Sequence, residues 1–249
     1  MDRILQEWRG DGVDVYMDDI VIHAKDGQKH DELFNRVLER FAEKELKINP
    51  KKIQFRKREV ELLGVTIDGY NRKPSEITKN EALEYRRPEC VRELRRFLGL
   101  SGWFSEFIPN LALTTVAFTE ALKSGKKWQW NEEMEEEFGL VKQELRNMSA
   151  LKIPNYTKAF RLRTDASDSG LGAVLLQTNR EGKLVSIQWG SKKLTPTEKR
   201  YTITEKEMLA VVWGVGKIEY ELRGRKFELL TDHKALEKIR KNLTLTIIV

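Results

Sequence analysis

Cysteine is almost missing from this chain. Cys90 is the single thiol among 249 residues, so no internal disulfide can staple the fold and no cluster of thiolates can hold zinc. Histidine is nearly as scarce, and His23, His30 and His233 lie far apart in sequence. Any metal must then sit on carboxylates, a donor set that suits magnesium or manganese better than softer ions. Long apolar runs are also lacking: no segment approaches the roughly 18 apolar residues in a row that mark a membrane-spanning helix. The N-terminal Met-Asp-Arg-Ile has none of the apolar stretch of a signal peptide. These absences give the expectation of an intracellular protein with no membrane partner. Internal repeats and low-complexity tracts are absent too, and a composition of 40% hydrophobic and 34% charged residues fits a globular chain rather than a disordered one. The length allows one to two domains.

What is present begins with charge. The net surplus is only +6, from 45 Lys+Arg against 39 Asp+Glu, but it is unevenly spread. Lys44, Lys47, Lys51, Lys52, Arg56, Lys57 and Arg58 crowd one stretch, and Arg86, Arg87, Arg92, Arg95 and Arg96 another. Such clusters suit a phosphate backbone, which draws cations by counterion release; a solvated surface face is the equally weighted plain reading. The acidic run from Glu132 to Glu137 lies on a helical pattern and reads as a solvent face.

Periodicity divides the chain. Val13 and Val15 alternate ahead of Asp18-Asp19, and Ile20 and Ile22 follow, which predicts a β-hairpin with carboxylates at its turn. Leu33, Phe34, Val37, Leu38 and Phe41 recur at helical spacing, and the helix should stop before Asn49-Pro50. A strand pair is expected over Lys52–Phe55 and Val60–Ile67. Val91, Leu94, Phe97 and Leu98 form one helical stripe and Met134, Phe138, Val141, Leu145 and Met148 another, both core, with Trp128 and Trp130 between them on a short strand. After Pro154 the texture changes. Phe160–Asp165, Gly172–Gln177 and Leu184–Ser191 read as three strands, then Thr204–Leu222 as a helix, Phe227–Asp232 as a fourth strand, and the start of another helix beyond.

Asp165, Glu207 and Asp232 thus fall on a strand, a helix and a strand. Singly, each would more often be a cap or a surface charge; their joint placement on strand, helix and strand raises the odds of a shared cation site. Glu205 and Glu207 both flank the buried helix face, so helical phase leaves the choice between them open. Two aspartates at a hairpin can likewise be plain turn residues. Flanking apolar strands, the preceding Tyr16, the following helix and the basic stretch favour a metal-binding pair.

From about residue 13 to 240 these segments resemble the reverse transcriptase and ribonuclease H region of gypsy-class long-terminal-repeat retrotransposons and their retroviral relatives. Val15-Tyr16-Met17-Asp18-Asp19-Ile20 looks like the polymerase palm motif, and Leu46-Lys47-Ile48-Asn49-Pro50-Lys51-Lys52 like the segment after its helix. Glu61-Leu62-Leu63-Gly64-Val65 is similar to the primer grip. Arg92 to Leu100, with Phe107-Ile108-Pro109-Asn110 beyond, resembles the thumb and connection. Thr164-Asp165-Ala166-Ser167, Glu205-Lys206-Glu207-Met208 and Thr231-Asp232-His233 look like ribonuclease H motifs.

The resemblance implies an α/β (α+β) protein: a partial palm over residues 1–70, a helical thumb and connection over 71–156, and a ribonuclease H-like mixed sheet with helices over 157–249. Its register selects Glu207 over Glu205. It implies Mg²⁺ or Mn²⁺ on Asp165, Glu207 and Asp232 and on Asp18 and Asp19, with Lys51, Lys52, Leu63, Gly64, Arg95 and Arg96 contacting nucleic acid. The implied partner is an RNA–DNA hybrid or primer-template, in the cytoplasm, the nucleus or a particle. Measured against the family, about 15 residues stand before the hairpin and few after Asp232, with Glu237 the sole acidic residue there. A chain truncated at both ends is therefore expected, its polymerase site incomplete, with room for another chain to supply missing segments. A noncatalytic nucleic-acid-binding or assembly module and a residual ribonuclease H are the alternatives.

Overall fold

The computed structural model describes residues 2–123 and 127–233, together with the backbone of Thr246–Ile248. The chain divides into two compact units, Met1–Leu63 and Gly64–Val249.

In the first unit, strands β1 (Val13–Tyr16) and β2 (Asp19–Ile22) pair antiparallel with Tyr16 opposite Asp19. Helix α1 (Gly27–Glu43) follows, capped by the Asp26 carboxylate accepting from the Lys29 amide. Leu5, Trp8, Val13, Val37 and Phe41 form the buried centre, so the alternation of the hairpin and the stripe of the helix meet as expected. The helix ends at Glu43, short of Asn49-Pro50 as expected. Its carbonyls are closed by a Schellman arrangement: the Leu46 amide donates to Phe41 and the Glu45 amide to Ala42, with Glu45 at φ +54°. No strand forms over Lys52–Phe55. Pro50–Lys52 instead makes one 3₁₀ turn, and the expected second strand is two short ones, β3 (Val60–Leu62) and β4 (Val65–Ile67), interrupted where Leu63 and Gly64 both adopt positive φ.

In the second unit, β4, β5 (Asn71–Pro74) and β6 (Leu151–Lys152) run antiparallel. Between β5 and β6 come α2 (Glu76–Leu83), α3 (Val91–Trp103), α4 (Val116–Ala121) and α5 (Glu132–Asn147). Their apolar faces bury Leu94, Phe97, Phe118, Met134, Val141 and Leu145 in one core, so both predicted stripes are core. Trp128 and Trp130 are not on a strand. Trp130 packs against Phe118 and Phe138 while its indole N–H donates to Glu135 at 2.7 Å. In the acidic run Glu137 departs from the solvent-face reading, because it accepts from the Ala117 and Phe118 amides at 2.7 and 3.1 Å.

The rest of the unit is a five-stranded mixed sheet, ordered β11-β10-β7-β8-β9. Strands β7 (Phe160–Ala166), β8 (Gly170–Thr178) and β9 (Leu184–Lys193) are antiparallel. Helix α6 (Ile203–Lys217) crosses back, a short α7 (Glu219–Leu222) follows, and β10 (Phe227–Leu230) lies parallel to β7. The single helix expected over Thr204–Leu222 is thus two, parted at Ile218, whose ψ of +23° leaves the helical region. Strand β11 (Thr246–Ile248) runs parallel to β10. The expected helix after Asp232, with Glu237, lies outside the described residues. Gly214 lets α6 approach the sheet: a Cβ there would stand 3.0 Å from Thr164 Cγ2 and 3.2 Å from the Ala173 Cβ. No helix of the described residues is long and apolar enough to cross a membrane.

Candidate metal centre

Three elements converge at one end of the mixed sheet. Asp165 stands near the end of β7, opposite Gly172 of β8. Asp232 lies just past the end of β10, and the parallel pairing of β10 with β7 brings the two aspartates to the same end of adjacent strands. Glu207 comes down from the first half of α6. One carboxylate oxygen from each of the three lies within 4.8 Å of the others.

The helix start explains why Glu207, not Glu205, completes the set. Thr202 caps α6 and Glu205 closes a capping box, its carboxylate accepting from the Thr202 amide at 2.8 Å and hydroxyl at 2.9 Å. Glu205 is thereby occupied. The spacing Thr202-x-x-Glu205 was itself the sequence signal that could have separated the two glutamates. Glu207 is buried, and its Oε2 has no hydrogen-bond partner among the described residues. Burial, and then the nearby charges of Asp165 and Asp232, push its carboxyl above the usual glutamate range, against a lowering by the Ala166 amide.

Charges gathered in this way repel. Two unit charges about 4 Å apart cost roughly 1 kcal/mol in water and about 4 kcal/mol at an effective dielectric near 20. A buried acceptor without a donor is also unusual in a folded protein. Hard carboxylate oxygens, an orphaned buried lone pair and mutual repulsion all fit a divalent cation.

Two contacts that sequence reasoning missed tie α6 to the strands that carry the aspartates. Thr204 Oγ1 and His233 Nε2 share a hydrogen bond at 3.0 Å. Buried Lys206 donates from its ammonium to Asp168 Oδ1 at 2.7 Å.

The first acidic pair is placed differently. Met17 and Asp18 make the turn, with Met17 at φ +51°, and Asp19 opens β2; both aspartates are exposed. Among the described residues no third His, Cys, Asp or Glu joins them in a potential metal-ligating group. Lys51 and Lys52 are exposed on the 3₁₀ turn, and Leu63 is half exposed beside Gly64. Arg95 and Arg96 lie on the solvent side of α3, away from buried Leu94 and Phe97. Within the first basic stretch Arg56 is already paired with Asp31, which lowers that carboxyl's pKa.

A sheet with three antiparallel strands, a parallel fourth, a crossing helix and three carboxylates at one end defines a ribonuclease H-like domain. Residues 130–229 match the family model described as "RNase H-like domain found in reverse transcriptase", and residues 1–67 match "Reverse transcriptase (RNA-dependent DNA polymerase)". The chain belongs to the reverse transcriptase and ribonuclease H family of retrotransposon pol proteins. It is 34% identical over 255 residues to the retrovirus-related Pol polyprotein from transposon gypsy of Drosophila melanogaster, covering 95% of this chain and 24% of that one. It is 30% identical over 238 residues to the transposon Tf2-3 polyprotein of Schizosaccharomyces pombe, covering 95% of this chain and 18% of the relative. The chain therefore spans about a fifth of the length of these relatives. A foamy viral protease-reverse transcriptase solved with double-stranded DNA shares the fold, with a TM-score of 0.88 at 18% identity over 99% of this chain and 47% of that one. A second foamy viral structure, with an RNA/DNA hybrid, has a TM-score of 0.82 at 19% identity, over 99% and 36%.

Proposed function

We propose that this pol region hydrolyses the RNA strand of an RNA–DNA hybrid at Asp165, Glu207 and Asp232. The observation that carries the proposal is the convergence of their carboxylate oxygens within 4.8 Å around a buried Glu207 oxygen with no donor among the described residues. Asp165 on β7, Glu207 on α6 and Asp232 after β10 would together hold Mg²⁺ or Mn²⁺. Such ions supply activation of the attacking water and stabilisation of the departing oxygen. The chain's own part is positional: β7 and β10 fix the two aspartates, α6 fixes the glutamate, and burial keeps the Glu207 oxygen from other partners.

The site residues outside the triad are read as contacts to nucleic acid. Lys51, Lys52, Arg95 and Arg96 would meet phosphates, with Leu63 and Gly64 beside a primer strand. The domains proposed are 1–70 palm, 71–156 thumb and connection, and 157–249 ribonuclease H-like. The site of action proposed is intracellular, in the cytoplasm, nucleus or a particle. Asp18 and Asp19 keep the palm motif without a third carboxylate among the described residues, which favours nuclease over polymerase chemistry for this chain.

The test is cleavage of a labelled RNA–DNA hybrid by the full chain with Mg²⁺ or Mn²⁺. Cleavage at least a hundredfold above that of Asp165→Asn is expected. Hybrid binding without cleavage sensitive to that substitution would instead identify a noncatalytic binding module.

A further inference from the structure

Glu207 and Asp165 approach one another from different elements, so something must hold α6 against the strand end in spite of their repulsion. Lys206 adjoins Glu207 in sequence, but successive helix residues point about 100° apart. Its side chain therefore serves a different neighbour. The Lys206 side chain is buried, at 8% exposure, and its carboxylate partner Asp168 is 98% exposed. A lysine side chain is rarely this buried unless its charge is paired. Here the pairing reaches from α6 to the turn between β7 and β8, three positions beyond Asp165.

That turn is well organised at its base. Ser167 Oγ accepts from the Ser169 and Gly170 amides at 3.3 and 3.0 Å, and the Ser167 amide donates to the Gly170 carbonyl at 2.8 Å. Asp168 therefore sits in a turn whose flanking residues Ser167 and Gly170 are hydrogen-bonded to one another, directly after the end of β7. Gly170 leaves no slack either, since a Cβ there would stand 2.7 Å from the Lys192 carbonyl oxygen. The pair joins the two elements that bring Glu207 and Asp165 together.

We infer that the Lys206–Asp168 ion pair is a latch that sets the Asp165–Glu207 separation, making Lys206 a positioning residue for cation binding at the triad. The inference rests on the proposed metal centre and adds to it a residue outside the ligand set. For Lys206 the latch predicts a change opposite in sign to simple electrostatics. If Lys206 acted only through its charge, removing it would tighten binding of a cation nearby, and removing the Asp168 charge would weaken it. A latch requires both removals to weaken binding.

The experiment measures Mn²⁺ affinity of the full chain by titration, with Asp165→Asn defining binding at the triad. Lys206→Met and Asp168→Asn should each lower the affinity about five- to tenfold. The double variant should be no weaker than either single one, the non-additivity expected of residues that act as a pair. Lys206→Arg should restore most of the affinity. Unchanged affinity in Lys206→Met, or opposite shifts in the two single variants, would overturn the latch. A wild-type chain with no Mn²⁺ binding sensitive to Asp165→Asn would instead overturn the metal centre. Amide hydrogen exchange then judges the latch by itself: Lys206→Met should speed exchange in both Ser167–Gly170 and the first turn of α6, and unchanged exchange in either would refute it.

Discussion

Two glutamates two positions apart on one helix have separate tasks, and the difference is which atoms each already satisfies. Glu205 commits its carboxylate to the Thr202 cap, while Glu207 keeps a buried oxygen with no donor among the described residues. Glu205→Gln, which can still close the capping box, should therefore leave the Mn²⁺-induced rise in melting temperature intact. Glu207→Gln should abolish that rise. Thermal shifts with and without Mn²⁺ check both, and a Mn²⁺ response lost only in Glu205→Gln would reverse the assignment. Glu137 provides a pH test away from the site. Its desolvation outweighs the backbone amides it accepts from, so its folded pKa lies above the ordinary 4.5. The folded state then holds this proton more tightly than the unfolded one. Its stabilising contribution is complete below pH 4.5 and is lost as pH rises through the raised value. Glu137→Gln should flatten the decline in melting temperature over that window, and an unchanged profile would count against it.

At the scale of elements, α6 against β7 and β8 decides whether a site exists. Gly214→Leu places side-chain carbon where a Cβ alone already meets Thr164 and Ala173. Overpacking of that kind should destabilise the fold by about 2–3 kcal/mol, measurable by denaturant unfolding, and should weaken Mn²⁺ binding as the helix lifts. A loss of stability with unaltered affinity would show that α6 seats Glu207 independently of Gly214. These elements were largely legible in the sequence. Alternating runs between glycine turns marked β7, β8 and β9, and helical stripes marked α1, α3 and α5, because half-buried elements must repeat their apolar residues. What escaped was set by local closure or by distant contacts. That α1 ends already at Glu43 depends on Glu45 accepting a left-handed conformation usually left to glycine. Trp128 and Trp130 alternated like a strand but serve an aromatic cluster. The Lys206–Asp168 pair spans 38 positions, and no periodicity signals such a contact. Convergence of the triad followed from topology once β10 was placed beside β7, whereas the choice of Glu207 needed either family register or recognition of the capping box.

For the whole molecule, the exposed cations Lys51, Lys52, Arg95 and Arg96 suit a polyanion. Binding of a hybrid should fall steeply with salt, the logarithm of affinity dropping by about 0.7–0.9 per phosphate neutralised against the logarithm of salt concentration. Charge reversal at Lys51, Lys52, Arg95 and Arg96 should flatten that slope by roughly two or more, read by fluorescence anisotropy; an unchanged slope would make these residues plain solvated faces. Everything in this account turns on the end of the mixed sheet where Asp165, Glu207 and Asp232 meet. The most direct measurement is anomalous scattering from crystals of the full chain soaked in Mn²⁺. The account predicts manganese peaks in contact with all three carboxylates, absent in Asp165→Asn. Manganese bound elsewhere while the triad remains empty would contradict it.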